Sequence, residues 1–556
     1  MKRLYWMLLL GVVALPSCNN LLDEEVVSGV TDDFYNTKAG FESAVNAAYV
    51  GMRSFYSSER GMTLTVFGTD TYTNGSDGGF KYVNQYTAQL DARYAHVNEV
   101  WNDFYVAINT CNAVVDRADT IPDLDEQTKN ERVAEARFLR AHYYFILVQL
   151  FGPVPLKVHE NTKIETEATR APVKEVYQSI VGDLQYAVKN LPESQPEVGR
   201  AARPAAEQLL ARVYLTRASS AAAEADDYAH AAEYAGHVIH NYDFQLLDDV
   251  GKVFEQGNEH NAESVWTVQY TTDPLYNNDE GVRNDNTSEN YASRFFLMQY
   301  DVLPGMLRDL KNGTPWKRFT PTPFLLDTLY RDRVNDDRYD KWFTSVWYAN
   351  NAGSIPQDPA THQPKFKVGD TAIWLPGHEV SDAFIASKPY LVVPPRNYTQ
   401  KLYPSLNKFD DALRADNQAS GVRPFIAFRL AEDYLIAAEA LMKTGKTAEA
   451  VRYINTLRER AAKPGATPAE TGEHKKAMDI TAAQLNMDFI LDERGRELIG
   501  EQFRWFDLVR THQLLTRVRA YNPDGGPNIK DFHVLRPIPQ DQIDRTTNEF
   551  PQNEGY

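Results

Sequence analysis

The stretch FGTDTYTNGSDGGFKYVNQY brings Asp70, Tyr72, Asn74 and Asp77 together, with Phe80 and Tyr82 close behind. Far downstream, Tyr291, Trp316, Arg318, Trp347 and Trp374 repeat the mixture of aromatic rings and polar groups. That mixture suits a saccharide. One face of a sugar ring is apolar and stacks on an indole or phenol, while its hydroxyls need carboxylate, amide or guanidinium partners. Burying roughly 50 Å² of ring face at about 25 cal/mol per Å² yields on the order of 1 kcal/mol per aromatic, so several rings must converge. Taken singly, each of these rings could equally serve packing.

Other charged or nucleophilic groups carry no comparable chemistry. In DERGRELIGEQFRWFDLVR, Asp492 with Arg496 and Asp507 with Arg510 stand at i,i+4 and i,i+3, the spacing of ordinary stabilising helix pairs. Leu498, Phe503, Trp505 and Phe506 supply packing there. His230, His237 and His240 are the only close histidine set and sit on an alanine-rich helix with no neighbouring carboxylate cluster to complete a zinc site. Asp70, Asn74 and Asp77 could ligate calcium, but an EF-hand loop would want a glutamate where Lys81 stands. No Gly-rich phosphate loop, Gly-x-Ser-x-Gly elbow or His-Glu-x-x-His helix occurs. The sequence therefore predicts a binding protein with no catalytic residues, no metal and no cofactor.

The N-terminus addresses the chain for export. Lys2 and Arg3 precede an uncharged run from Leu4 to Leu15, too short to span a bilayer and typical of a signal peptide. The run stops at LPSC, which resembles a bacterial lipobox: residues 1–17 would be cleaved and Cys18 acylated. Two or more acyl chains make such anchoring stable. Residues 18–30, with acidic Asp23 to Glu25, read as a lipidated flexible spacer. Cys111, the second of two cysteines, falls on the apolar face of a predicted helix and reads as a small buried residue. The formal charge of −18 and mean hydropathy of −0.48 give nucleic acid and anionic headgroups no electrostatic reason to approach.

Helical pairs must position the candidate residues. Phe41, Val45, Ala48, Tyr49 and Met52 form one stripe after a cap at Asn36 or Thr37. A second stripe, Ala134, Phe138, Ala141, Phe145 and Val148, ends at GPVPL. Small alanines and large residues then alternate in RPAAEQLLARVYL, YAHAAEYAGHVIHNY and DYLIAAEALMKTGKTAEAVRYINTL, the tetratricopeptide pattern of closely packed antiparallel helices. These units are dispersed, so the pairs must assemble across long insertions. The largest, 243–425, carries short β-like runs and five of the eight tryptophans, which sets the aromatic residues outside the repeats. Mainly α architecture is predicted: helical regions over 31–242, with a ligand loop at 67–86, and over 426–556, bearing an irregular, partly β, aromatic-rich insertion.

LLARVYL, FGPVPL, DERGRELIGEQFRWFDLVR and the terminal LRPIPQDQIDRTTNEFPQNEGY together resemble the SusD/RagB family of surface nutrient-binding lipoproteins across the whole mature chain. In the terminal motif Pro537, Ile538, Pro539, Asn548, Gln552, Asn553, Gly555 and Tyr556 match, and Glu554 replaces the usual proline. The resemblance implies a tetratricopeptide-like body anchored in the outer membrane and exposed at the cell surface. It also implies docking on a SusC-like TonB-dependent barrel that imports oligosaccharide or, in some members, peptide. A repeat scaffold without a small ligand is the reading from a different class. By location, the 67–86 loop and the insertion resemble the family's ligand-contacting regions.

Overall fold

A computed structural model of the chain describes residues 32–273 and 289–556. The signal peptide, Cys18 and the Asp23 to Glu25 tract lie outside the described residues. Numbering helices of seven residues or more in chain order, α1 is Lys38–Ala48, α2 Glu59–Val66, α3 Ala95–Arg117, α4 Glu126–Phe151, α5 Val173–Asn190, α6 Arg203–Arg217 and α7 Asp227–His240. After the insertion come α8 Leu430–Lys443, α9 Thr447–Arg460, α10 Pro468–Met478, α11 Met487–Glu497, α12 Arg504–Arg510 and α13 Leu514–Tyr521. Caps set their starts: Thr37 Oγ1 accepts from Gly40 N at 3.1 Å, and Asp125 Oδ1 from Thr128 N at 2.9 Å. Cys111 is fully buried on α3, and burial pushes its thiol up to about 12.

From α3 to α9 each helix packs on the next, and α7 packs directly on α8 although some 190 residues of chain separate them. The solenoid is thus continuous in space where the sequence is interrupted. The contacts use the predicted alanines: Ala205, Ala206, Ala231, Ala235, Ala437, Ala438 and Ala450 are all wholly buried. Helix α4 is buried on nearly every side from Val133 to Phe151, so its single predicted stripe understates its central position. The insertion leaves and returns beside one antiparallel pair, Ser264–Val268 with Phe425–Arg429, and contains a three-stranded sheet with its own small core around Trp347 and Tyr300.

Buried charge welds the insertion to the solenoid. Glu497 accepts from Arg460 at 2.6 Å, Arg429 at 2.8 Å and Arg338 at 2.9 Å. Glu263, beside the stem strand, accepts from Arg429 and Arg460, both at 2.8 Å. Glu501 accepts from Lys408 and Arg429 at 2.7 Å. Glu263, Glu493 and Glu497 are 0% exposed, so these charges survive only because each has several partners. Spacing alone misread this helix. Asp492 pairs with Arg517 at 2.7 Å instead of Arg496, which turns to Glu493 at 2.8 Å, because tertiary partners outcompete neighbours on one turn. Asp507 does pair with Arg510, at 2.9 Å.

The terminal motif is a knot that closes α4. Helix α4 stops at Gly152, whose φ of +73° suits glycine. Asn553 Nδ2 donates to the orphan carbonyl of Phe151 at 3.1 Å and to that of Arg536 at 2.8 Å. Gln552 exchanges two hydrogen bonds with the Ile538 backbone, at 2.6 and 2.8 Å. Asn548 does the same for Ala168, at 2.8 and 3.0 Å.

Candidate functional site

The early loop and the insertion meet. Strand Tyr72–Asn74 pairs antiparallel with Phe319–Pro321, setting Thr73 opposite Thr320. Gly75 N then donates to Arg318 O at 2.9 Å. A Cβ on Gly75 would lie 1.9 Å from Lys317 O, so only glycine permits this approach. Around the junction three non-glycine residues hold left-handed backbone: Ser57 at φ +54°, Phe80 at +53° and Lys317 at +52°. Such conformations cost of order 1 kcal/mol each and collect at sites where position matters. Their carbonyl neighbourhoods fix the side chains: Tyr291 N donates to Ser57 O at 3.0 Å, Trp316 N to Arg294 O at 2.9 Å and Arg318 N to Phe295 O at 2.9 Å.

The outcome is an aromatic pair rimmed by charge. Tyr291 and Trp316 are both half-buried, with ring centroids 4.8 Å apart at 43°. Phe295 supports Trp316 edge-on at 5.3 Å, and the Arg294 guanidinium lies 4.8 Å from the tyrosine ring and 5.2 Å from the indole. Arg318 stands on the other side, 5.9 Å from Trp316 and 5.4 Å from Phe80. It pairs with Asp77 and, at 2.7 Å, with Glu59, while Lys81 also pairs with Asp77. Burial lowers the Lys81 ammonium and Asp77 partly restores it. Phe80 and Tyr82, both half-buried, extend the apolar surface. His96, 4.1 Å from Phe80, is held neutral by burial and by Arg60. The two rings and the half-buried Glu59, Asp77 and Lys81 therefore share one surface, with Arg318, 5% exposed, holding the carboxylates in place, and a polyhydroxylated ring requires stacking faces and polar groups together.

Of the residues expected at the site, Tyr291, Trp316, Arg318 and Asp77 come together here. The others do not. Asp70 is 0% exposed and gives both carboxylate oxygens to Arg504, at 2.7 and 2.6 Å, with Arg517 at 3.4 Å, so it ties the loop to α12 and offers a ligand nothing. Tyr72 is 2% exposed and packs edge-on against Phe296 at 5.1 Å. Asn74 is buried: its side chain accepts from Asn84 at 3.2 Å and its backbone N–H donates to Asp524. Trp347 belongs to the insertion's own core. Trp374 is half-buried on the three-stranded sheet, opposite Val346 and 6.0 Å from Phe384. The loop misses share one cause: strand Tyr72–Asn74 is buried along its whole length and Asp70 is claimed by Arg504, so the early loop is covered where its residue types suggested an open surface. Sequence reasoning passed over Arg294 and Glu59. The spacing of Arg294 three residues after Tyr291, on one short helical turn, was the available signal.

With this geometry in view, likeness to known proteins becomes informative. Residues 251–556 match the SusD family, and residues 22–215 match a family described as starch-binding associating with outer membrane. The chain belongs to the SusD family. SusD-like protein P2 of Formosa agariphila is 28% identical over 574 aligned positions, covering 100% of both chains. The starch-binding protein SusD of Bacteroides thetaiotaomicron is 27% identical over 467 positions, 78% of this chain and 74% of that one. Among solved structures, a laminarin-binding SusD-like protein shares the fold at a TM-score of 0.68 and 23% identity, over 94% of this chain and 100% of its own. A SusD homologue from Bacteroides thetaiotaomicron superposes with a TM-score of 0.72 at 20% identity, over 94% and 97%.

Proposed function

We propose that this protein is a cell-surface lipoprotein, anchored through acylated Cys18, that captures an oligosaccharide or polysaccharide and delivers it to a SusC-like TonB-dependent barrel. The carrying observation is the half-exposed Tyr291–Trp316 pair, 4.8 Å between centroids, with Arg318 and Asp77 at its edge. A ring stacked on the two aromatics would gain on the order of 1 kcal/mol from each, and its hydroxyls would reach the rim. Relatives named for starch and laminarin binding support a glycan over a peptide. Trp374 is retained as an outlying contact for a longer chain, since its ring is half-exposed.

A glycan array against the full chain in detergent tests the reading. Saccharide binding that weakens in Trp316→Ala supports it, whereas binding of peptides and no saccharide overturns it. For the anchor, an unmodified thiol at Cys18 of the mature protein, or a Cys18→Ala variant still fractionating with outer membrane, would contradict lipidation. For delivery, the expectation is co-purification with a TonB-dependent barrel from native membranes.

A further inference from the structure

Two guanidinium groups next to the aromatic pair lack the anions that a buried arginine normally has. Arg294, which lies against both rings, is 3% exposed; its Nη2 donates to the carbonyls of Gln418, at 2.6 Å, and Ala419, and its Nε has no partner. Arg414, close enough to depress the ionisation of Arg294, is 2% exposed. Its Nε donates to Asp411 O at 2.9 Å, and both its Nη atoms have no partner. Buried donors without acceptors are rare and costly in folded proteins.

The nearby acids do not hydrogen-bond these guanidinium groups. Asp416 spends one oxygen on the backbone N–H groups of Gln418 and Ala419, at 2.6 and 2.8 Å. Asp411 accepts from Gln256 at 2.6 Å and from Val422 N at 2.7 Å. Asp411, Asp410 and Asp416 act on Arg414, and Glu289 and Asp416 on Arg294, through space without bonding either guanidinium, and burial pushes the Asp410 carboxyl up to about 7. Burial first, and then Arg414, holds Arg294 down to about 10. What the two groups lack is not negative charge in the vicinity but hydrogen-bond acceptors, at Arg294 Nε and at both Arg414 Nη atoms, among the described residues.

The geometry points to an acidic saccharide as the ligand, its carboxylate or sulfate ester received by Arg294 and Arg414 while a sugar ring stacks on Tyr291 and Trp316. This rests on the glycan-binding reading above and names the class of glycan. The anionic group enters beside the 412–420 turn, whose Gln418 and Ala419 carbonyls hold Arg294. Its oxygens replace the Gln418 and Ala419 carbonyls on Arg294 and fill the free Nη positions of Arg414. A doubly hydrogen-bonded guanidinium–anion contact is strong and geometrically selective.

Calorimetry on the full chain in detergent, with uronate-bearing, sulfated and neutral oligosaccharides of equal length and an acidic peptide, tests this. One acidic series should bind at least tenfold tighter than the neutral one, and which series does so tells carboxylate from sulfate. Arg414→Gln should erase that preference while leaving neutral affinity in place, and Arg294→Gln should erase it even where neutral binding weakens through the two rings that Arg294 touches. Inorganic sulfate should compete with the acidic glycan on the unaltered protein, which keeps the test decisive if a variant fails to fold. Equal binding of acidic and neutral glycans, a preference that survives both substitutions, absence of sulfate competition, or tighter binding of the acidic peptide would each overturn the inference. Glycan binding without charge preference removes this inference alone; no saccharide binding at all removes the glycan reading with it.

Discussion

Around Glu497 and around Trp316 the protein sets guanidinium groups against aromatic rings, but in the second region it gives carboxylate partners to Arg318 and leaves Arg294 and Arg414 without one among the described residues. Arg338, Arg429 and Arg460 each hold two or more carboxylates, and Lys408 sits 3.7 Å from the Trp342 ring while bonded to Glu501. Among the described residues, Arg294 and Arg414 hydrogen-bond only to backbone carbonyls. The rings set against Lys408 and Arg429, Trp342 and Phe254, are enclosed, whereas Tyr291 and Trp316 are only half-buried. The first arrangement is finished by folding and serves stability. The second is left for something else to finish, which is the physical difference between a structural ion cluster and a binding face.

Disrupting the finished region should produce the largest effect. Glu497→Gln leaves three guanidinium groups short of a partner and should cost about 3–5 kcal/mol, read as a lower chemical-denaturation midpoint with unchanged glycan affinity per folded molecule. Acid should act on the same cluster. Burial pushes the Glu493 and Glu497 carboxyls up, but the surrounding arginines outweigh it and hold both below their ordinary value of 4.5. Since the folded pKa is depressed, their contribution is present above about 4.5 and is lost as pH falls toward the folded pKa, so denaturation midpoints should drop steeply there. Asp410 works in the opposite sense: raised from 3.8 to about 7, it stabilises when protonated and loses that contribution as pH rises through 7.

Two substitutions next sharpen the boundary between the regions. Trp347→Ala should destabilise by about 3–5 kcal/mol, because it empties the insertion's own core. Asp70→Asn should cost about 3 kcal/mol by stripping Arg504 of its carboxylate. Glycan affinity at a temperature where the variants remain folded should be unchanged in both. If either weakens binding while leaving the denaturation midpoint unmoved, the residue belongs to the open face and the division drawn here is wrong.

Much of the scaffold was legible because it repeats. Alanines at helix contacts announced the solenoid, and Gly152 with the following prolines announced the end of α4. The terminal motif could be recognised, but its purpose could not: that Asn553 caps the Phe151 carbonyl needs residues 402 positions apart to be placed side by side. The charge cluster was hidden for the same reason, since Glu263, Arg338, Arg429, Arg460 and Glu497 come from five separate segments. At the site, residue type indicated the chemistry and gave no inside or outside. Tyr72 and Trp347 look like Tyr291 and Trp316 in sequence, and only tertiary packing, which covers the Tyr72–Asn74 strand throughout and encloses Trp347 in the insertion's core, separates them.

The smallest expected effect carries the most weight. Trp316→Ala removes a half-exposed ring, so its denaturation midpoint should stay close to that of the unaltered protein. Its glycan affinity should fall by about 1 to 2 kcal/mol, a rise in Kd of roughly 5- to 30-fold. Titration calorimetry and a denaturation curve on this one variant, using the tightest glycan found on the array, measure both quantities. Unchanged affinity, or a loss of stability as large as that of Trp347→Ala, would contradict the assignment of the Tyr291–Trp316 pair as the binding face.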